Sequence, residues 1–329
     1  MTTLLKTRAV AALVWLLGVC SFYFCASLGT AADYPVKPVR IVVPLAAGGP
    51  ADTIARTVGE FLSRLWKQSV IVENRPGASG IIAAELVLRS PPDGHVLLLA
   101  ITSHIQMIGL SDKLPFDPLN DFSAVTQLGL ARQVFMVQQE GPSSVADLVA
   151  KAKSDPGSVS YSSFGHATTG HIYGEMLNRI AGIRAANVPF NGGAPAVAAL
   201  LGGQVTASFV EMTQARTQMR AGRLRAIAIT GEGRSPLLPD VPSLGELGYP
   251  GFEILGWHAV IAPGGTPKDV LAKLQGDIRR ALFDPPIAAK FNDLGLEVVG
   301  NTPEEFSKVL RVDAAKWLKV IKEIGGESR

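Results

Sequence analysis

Short runs of β-branched and apolar residues alternate with helical periodicity from Val39 onward, and this alternation constrains the fold more than any other feature. The first unit, VRIVVPLAAGGPADTIAR at 39–56, joins an apolar run to two glycines and a proline, after which an amphipathic helix pattern begins. Strand–helix–strand alternation predicts parallel sheets with helices on both faces. Further units of this kind begin at positions 69, 95, 159, 186 and 205.

Four of these units place a glycine-containing loop between a strand and a helix. The loops are AAGGPAD at 46–52, RPGASG at 75–80, FGHATTG at 164–170 and FNGGAP at 190–195. A glycine pair alone is typical of a tight turn, but parallel strands bring such loops to one edge of a sheet. Unpaired amides at a helix start favour a carboxylate or a phosphate. We therefore expect each half of the chain to aim two loops at one ligand.

Residues 1–32 have the layout of a secretory signal peptide. Lys6 and Arg8 precede a long apolar run, which small residues close at Gly29–Ala32. An uncleaved anchor is the alternative, because the apolar run is longer than most. Both cysteines, Cys20 and Cys25, lie within this segment, so the mature chain is expected to have neither a disulfide nor a catalytic thiol. These features predict an exported protein, and the family resemblance described below implies that it is periplasmic.

The charge balance argues against nucleic acid as a partner. The 329-residue chain has 31 basic and 28 acidic residues, a net charge of +3. Because Lys6 and Arg8 supply two of these charges, the predicted mature chain is nearly neutral and has no basic stretch that would serve as an electrostatic footprint.

The sequence also lacks the common motifs of catalysis and of metal binding. GxSxG, Ser-x-x-Lys, HExxH and the GxxxxGK[ST] phosphate loop are all absent. His104 and His171 are expected to hydrogen-bond loop backbones first and a ligand second, and Asp52 to lie in the first turn of its helix. The sequence therefore predicts a binding protein without cofactor or metal.

Several segments together resemble the Bug family of extracytoplasmic solute-binding proteins of tripartite tricarboxylate transporters. They include YPVKPVRIVVPLAAGGPAD, VIVENRPGASG, PPDGHVLLL, VPFNGGAPAVAALLGGQV and APGGTP. The resemblance runs from Tyr34 to the last predicted helix and implies a type II periplasmic binding protein fold, in which two α/β lobes close on a ligand cleft. The first lobe is expected to combine residues 33–131 and 254–329, and the second to span 132–253.

The resemblance also implies a function and its partners. It implies a monomer that captures a small organic carboxylate by hinge closure near Gln127–Gln133 and Glu253–His258 and delivers it to the permease subunits in the membrane. Two alternatives stay open at this point: a sensor that presents ligand to a membrane signalling protein, and a secreted hydrolase or isomerase. The absence of a nucleophile–base pair in the sequence argues against the enzyme.

The resemblance assigns ligand contacts to both lobes. In the first lobe they are Leu45, Ala46, Ala47, Gly48, Gly49, Ala51, Asp52, Asn74, Gly77, Ala78, Ser79, Gly80, Ser103 and His104; in the second they are Gly165, Ala167, Thr168, Thr169, Phe190, Asn191, Gly192, Val210 and Glu211.

Some positions depart from the family pattern. Phe190 and Asn191 stand where tyrosine and lysine are usual, and Val210 stands where an acidic or a small residue is frequent. An unpaired buried charge costs several kcal/mol, so the loss of these polar groups predicts a less polar ligand, such as an aromatic or medium-chain carboxylate. Because backbone must approach the ligand closely, a β-branched residue at Gly49 or Gly80 is expected to abolish binding.

Overall fold

Two mixed β-sheets with flanking helices organise the part of the chain that the computed structural model describes, residues 34–110 and 113–325. The predicted signal peptide lies outside these residues. The strands in chain order are β1 (Val39–Val43), β2 (Val70–Asn74), β3 (Val96–Ile101), β4 (Phe122–Ala131), β5 (Gln133–Gln138), β6 (Ser160–Ser163), β7 (Ala186–Pro189), β8 (Ala207–Glu211), β9 (Leu224–Ile229), β10 (Gly256–Pro263) and β11 (Leu296–Val298).

Helices follow most of the strands. In chain order they are α1 (Pro50–Trp66), α2 (Ile81–Leu88), α3 (Ser103–Gln106), α4 (Val145–Ser154), α5 (Thr169–Ala181), α6 (Gly193–Leu201), α7 (Met212–Arg220), α8 (Lys268–Leu282), α9 (Pro285–Asp293) and α10 (Pro303–Glu323), with 3₁₀ turns at Ala78–Gly80 and Met107–Gly109. None of the helices in the described ranges combines the length and the apolar character that are needed to cross a bilayer.

The first sheet has the strand order β11-β4-β10-β3-β1-β2. Strand β1 pairs in parallel with β2 and β3, as the strand–helix alternation predicts. Strands β10 and β11 instead pair antiparallel with their neighbours, so the sheet is mixed and only its β3-β1-β2 part is parallel. The reason is that β10 returns to this sheet from the second sheet, and it enters between β3 and β4 in the opposite direction.

The second sheet repeats this plan with the order β7-β6-β8-β5-β9. Strand β6 is parallel to β7 and β8, whereas β5 is antiparallel to both β8 and β9. Each sheet therefore keeps a parallel part, and at its carboxyl edge the strands lead into loops that start helices.

The chain changes sheet at two places. Only Arg132 separates β4 of the first sheet from β5 of the second, and residues 230–255 lead back from β9 to β10. We propose that these two crossings divide the chain into the lobes suggested by the sequence, 33–131 with 254–329 and 132–253.

A shared apolar core holds the sheets together. The rings of Tyr173 on α5 and Trp317 on α10 lie 6.0 Å apart, and the Tyr173 hydroxyl donates a hydrogen bond to the carbonyl of Ile254. Both side chains are almost completely buried. The amphipathic pattern predicted for α1 is confirmed, because Ile54, Val58 and Leu62 are buried along one face.

Candidate ligand-binding site

The loop after β1 is shaped by polar side chains that turn back onto its backbone. The backbone N–H of Gly48 donates to Asp52 Oδ2 at 3.0 Å, and Arg56 Nη2 lies 2.9 Å from Asp52 Oδ1. Burial raises the pKa of Asp52, but hydrogen bonds from Arg56, Gly48 and Asn74 outweigh it, and the net pKa lies below the ordinary value. The side chain of Asn74 donates to the carbonyl of Leu45 at 3.0 Å. Asp52 therefore holds the first turn of α1, as expected from the sequence.

The loop after β2 contains four consecutive residues with positive φ. The φ angles are 128° at Gly77, 44° at Ala78, 54° at Ser79 and 104° at Gly80. Successive amides in such a conformation form a concave surface that favours anions. The hydroxyl of Ser103, at the start of α3, donates to the carbonyl of Ser79 at 3.2 Å and so connects this loop to α3.

The loops of the second sheet mirror this construction. Gly165 has φ 143°, Ala167 has φ 63° and Gly192 has φ 126°. The hydroxyl of Thr168 donates to the carbonyl of Gly165 at 2.7 Å, and the backbone N–H of Ala167 donates to His171 Nδ1 at 3.2 Å. Both contacts fix the loop that begins α5.

The loops of the two sheets touch each other. The backbone N–H of Ala46 donates to the carbonyl of Asn191 at 3.0 Å, and the hydroxyl of Ser79 donates to the carbonyl of His166. A Cβ atom at Gly192 would lie 3.2 Å from the nitrogen of Ala46, so only glycine fits this approach without displacement. The loops of the two sheets are thus in direct contact.

The loops that follow β1, β2, β6 and β7 meet around one cavity of about 200 Å³, which we call the four-loop cavity. The loop after β1 contributes Pro44 and Leu45, and none of residues 46–52 of the predicted glycine loop lines the cavity. It is lined by Pro44, Leu45, Gly77, Ala78, Ser79, Phe164, Gly165, His166, Pro189, Phe190 and Asn191. No lysine or arginine of the described residues is among them. Helices α1, α2, α5 and α6 begin after these loops, and because the first amides of a helix have no partner within that helix, we expect these N-termini to favour an anion.

A second, smaller cavity of about 30 Å³ lies deeper between the sheets, and we call it the inner pocket. Leu45 and Phe164 line both cavities, so the two adjoin. The polar side chains of the inner pocket are those of Thr102, Ser103, Gln133, Thr168, Thr169, Glu211 and His258. His258 Nε2 lies 3.3 Å from Glu211 Oε2, which links β10 of the first sheet to β8 of the second.

The predicted contacts divide into those that line a cavity and those that do not. Leu45, Gly77, Ala78, Ser79, Ser103, Gly165, Thr168, Thr169, Phe190, Asn191 and Glu211 line one of the two cavities. Ala46, Ala47, Gly48, Gly49, Ala51, Asp52, Asn74, Gly80, His104, Ala167, Gly192 and Val210 line neither. Most of the second group instead shape the loops or their helix starts.

His104 and Val210 line neither cavity because each is packed among other residues. The ring of His104 stacks on Phe116 and meets the edge of Phe122, and its Nε2 lies 3.0 Å from the carbonyl of Pro118. Burial lowers the pKa of His104 to about 4. Val210 is fully buried in the apolar core of the second sheet with Val134, so only its neighbour Glu211 reaches the cleft.

His171 likewise contacts the backbone of its own loop, where its Nδ1 accepts a hydrogen bond from the N–H of Ala167. It is buried beneath the Gly165–Thr169 loop, and burial together with the neighbouring His166 lowers its pKa to about 4. In residues 34–110 and 113–325, no three His, Cys, Asp or Glu side chains come close enough to hold a metal ion.

The sequence-based prediction missed Gln133, Trp257 and His258, which line the inner pocket. Gln133 and His258 lie at the ends of the two predicted hinge segments, Gln127–Gln133 and Glu253–His258. Their position between the lobes was the one feature of the sequence that could have identified them as residues of the cleft. Gly49 also differs from expectation: its φ is −86°, and a Cβ there would meet only the carbonyl of Ala46, at 3.8 Å. Backbone conformation therefore demands glycine at Gly80 but not at Gly49.

Comparison with known proteins gives consistent matches. The family model "Tripartite tricarboxylate transporter family receptor" matches residues 54–326. A UPF0065 protein from the TAR-I ttuE-ttuC' intergenic region of Agrobacterium vitis is 36% identical over 89% of this chain and 86% of its own length. BugT of Bordetella pertussis is 32% identical over 92% of this chain and 96% of its own length.

Solved structures agree with the fold described above. The periplasmic binding protein BugD superposes with a TM-score of 0.85 at 32% identity, covering 90% of this chain and all of its own. Rpa4515 of R. palustris with adipate has a TM-score of 0.85 at 30% identity, covering 89% and 99%. MatC of Rhodopseudomonas palustris with bound malate has a TM-score of 0.84 at 30% identity, covering 88% and 100%.

The family match spans most of the chain, and the solved relatives include a periplasmic binding protein, BugD, and two proteins with adipate and with malate bound. This chain therefore belongs to the tripartite tricarboxylate transporter receptor family, also represented by the Bug proteins, and has their two-lobed binding-protein fold.

Proposed function

We propose that this chain is a periplasmic receptor that closes its two lobes on one small organic carboxylate and delivers it to a tripartite permease. The observation that carries the proposal is the four-loop cavity, in which two helix-starting loops from each sheet face one another. Amides at four helix N-termini supply partial positive charge without any ionised side chain.

The composition of the lining supports an organic acid with an apolar body. Leu45, Phe164 and Phe190 contribute apolar surface, and no lysine or arginine of the described residues lines the cavity to pair with several carboxylates. The relatives that hold adipate and malate make a carboxylate the natural class. We therefore favour an acid with one buried carboxylate over a tricarboxylate.

Hinge closure follows from where the chain crosses between the lobes. The ligand would contact loops of both lobes at once, and so would stabilise the closed state through contacts that an open state lacks. The contacts Ala46–Asn191 and Ser79–His166 would then form only on closure.

A thermal-shift screen of the chain from Asp33 onward tests carboxylate binding. The panel contains citrate, adipate, malate, glutamate, benzoate and terephthalate, and the protein is first unfolded and refolded to remove bound ligand. A ligand at a hundred times its Kd adds about 2.7 kcal/mol of stability, which raises the midpoint by roughly 5–10 °C. A panel without any shift, for protein shown to be ligand-free by mass spectrometry, would contradict the proposal.

Export and delivery need separate measurements. We expect N-terminal sequencing of the periplasmic fraction to find cleavage near Ala32, and the ligand-loaded protein to retain membrane permease subunits in a pull-down. Retention of a membrane kinase in place of a permease would favour the sensor function instead.

A further inference from the structure

The inner pocket contains more hydrogen-bond acceptors than the protein itself satisfies. The side chain of Gln133 is buried, and its Oε1 has no hydrogen-bond partner among the described residues. Glu211 is 8% exposed, and in the described chain its carboxylate makes one side-chain contact, with His258 Nε2. Unsatisfied buried acceptors are rare in native structures and call for an explanation.

Glu211 has no lysine or arginine partner among the described residues. No lysine or arginine nitrogen of the described residues lies within ion-pair distance of Glu211, whose partner is His258 at 3.3 Å. Arg132, the neighbour of Gln133 in the chain, is engaged elsewhere, because its Nε lies 2.8 Å from Glu297 Oε1 and its Nη1 donates to carbonyls at 230 and 233. A buried carboxylate with one side-chain partner keeps acceptor capacity, which favours a ligand that brings a donor.

The size of the pocket limits what can fill it. At about 30 Å³ it can hold one small polar group, such as a water molecule or the end of a ligand. It adjoins the four-loop cavity at Leu45 and Phe164, so a ligand held by its carboxylate at the loops can extend its other end into the pocket.

The geometry points to a ligand that carries a carboxylate at one end and a hydrogen-bond donor, an ammonium or a hydroxyl group, at the other. This inference rests on the proposed function, because the four-loop cavity must first hold the carboxylate. Glu211 and Gln133 accept from the donor end, and Glu211 repels a second carboxylate at the same place.

The contribution of the donor group to affinity can be measured with acids that differ only in the group at the end opposite the carboxylate. The probes are 6-aminohexanoate, 6-hydroxyhexanoate, hexanoate and adipate, with 4-(aminomethyl)benzoate, 4-hydroxybenzoate, benzoate and terephthalate as a rigid set. We expect calorimetric titration to show a Kd at least tenfold lower for a donor-ended acid than for the dicarboxylate and the unsubstituted acid of its set. The ammonium and hydroxyl probes then identify the kind of donor.

Two variants link the preference to the pocket. In Glu211→Gln we expect the ammonium-ended probe to lose at least tenfold in affinity while the unsubstituted acid changes less than threefold. Gln133→Met, which removes the unsatisfied oxygen at similar volume, should weaken donor-ended probes only. Glu140→Gln serves as the control. Glu140 is an exposed residue in the turn after β5, so this substitution removes one negative charge, as Glu211→Gln does, but at a residue that lines neither cavity.

The outcomes separate this inference from the proposed function. If the dicarboxylates bind as tightly as the donor-ended acids, or if Glu211→Gln leaves the ranking unchanged, the inference is wrong while carboxylate binding stands. If no probe binds and the broader carboxylate panel also gives no shift, the proposed function itself fails.

Discussion

The four-loop cavity and the inner pocket adjoin, yet they are built in opposite ways. The four-loop cavity owes its form to backbone, with positive φ at Gly77, Ala78, Ser79 and Gly165, and no lysine or arginine of the described residues lines it. The inner pocket is defined by side chains, chiefly Glu211, Gln133 and His258. A backbone site depends on the conformation of its loops, whereas a side-chain site changes with a single substitution.

This difference indicates a division of roles in recognition. Amides at helix starts attract any carboxylate, so the four-loop cavity would set the class of ligand. Buried polar groups reject ligands that leave them unpaired, so the inner pocket would set the choice within that class. Substitutions in the loops should therefore weaken all ligands alike, and substitutions in the pocket should reorder them.

The largest expected effect is at Gly192. A valine there must adopt φ near +126°, and its Cβ would lie 3.2 Å from the nitrogen of Ala46 across the cleft. We expect Gly192→Val to lower affinity at least a hundredfold for every carboxylate in a calorimetric titration. Gly222→Val is the matched control, because Gly222 also has positive φ (+65°) but no atom within 4 Å of the added Cβ.

Equal affinity losses in these two variants would show that general backbone strain, and not the approach of the loops, causes the effect. If Gly192→Val weakened some ligands and not others, the loops would select among carboxylates, which contradicts the proposed division of roles between the four-loop cavity and the inner pocket.

A smaller loss, equal for all ligands, is expected at Thr169, because its hydroxyl, although on the wall of the inner pocket, is engaged with Gln106. Its hydroxyl accepts a hydrogen bond from Gln106 Nε2 at 3.1 Å, which joins α5 of the second lobe to α3 of the first. Thr169→Val leaves the buried amide of Gln106 unsatisfied in the closed state, at a cost of about 1–2 kcal/mol, or roughly 5- to 30-fold in affinity. Titration with one flexible and one rigid acid measures the loss.

Thr217→Val on α7 provides the control for Thr169, because the Thr217 hydroxyl bonds within its own helix. A change in ligand ranking in Thr169→Val would show that Thr169 belongs to the selecting pocket and not to the closing contact.

The smallest effect on binding is expected at His104, where the effect on stability is instead pH-dependent. The folded-state pKa of about 4 lies below the unfolded value near 6.5, so stability is fully present above pH 6.5 and is lost as the pH falls toward 4. Between pH 7.5 and 5.0 the loss for this group is about 2 kcal/mol.

His104→Gln keeps a donor for the carbonyl of Pro118 and removes the titration. Urea unfolding at the two pH values should show a correspondingly smaller loss of stability in this variant than in the wild type, and the ligand affinity at pH 7.5 should stay within twofold. A large loss of affinity would return His104 to the ligand-contacting residues that the resemblance implies.

Much of this architecture can be predicted from local sequence. The helix pattern at Ile54, Val58 and Leu62 and the glycines after the strands depend on neighbouring residues, and these predictions are confirmed. The return of β10 between β3 and β4 depends on pairing over more than 120 residues, and no local pattern encodes it.

The same reasoning explains which site residues the sequence could reach. Loop residues such as Gly77 and Gly165 can be recognised in the sequence, because a backbone with positive φ favours glycine and glycine residues after a predicted strand therefore mark the loop. Gln133 and His258 are ordinary strand residues 125 positions apart, and their meeting in one pocket follows only from the two crossings between the sheets.

The place where Arg132 joins the two sheets has a consequence for the rate of ligand exchange. Its guanidinium lies 2.8 Å from Glu297 of the first sheet and donates to the carbonyls of Thr230 and Gly233 in the returning segment. Both connections between the lobes are thereby tied to one side chain, and we expect them to rotate together about a single axis. Escape of ligand then requires one concerted opening, so the lifetime of the complex is set by how often that rotation occurs.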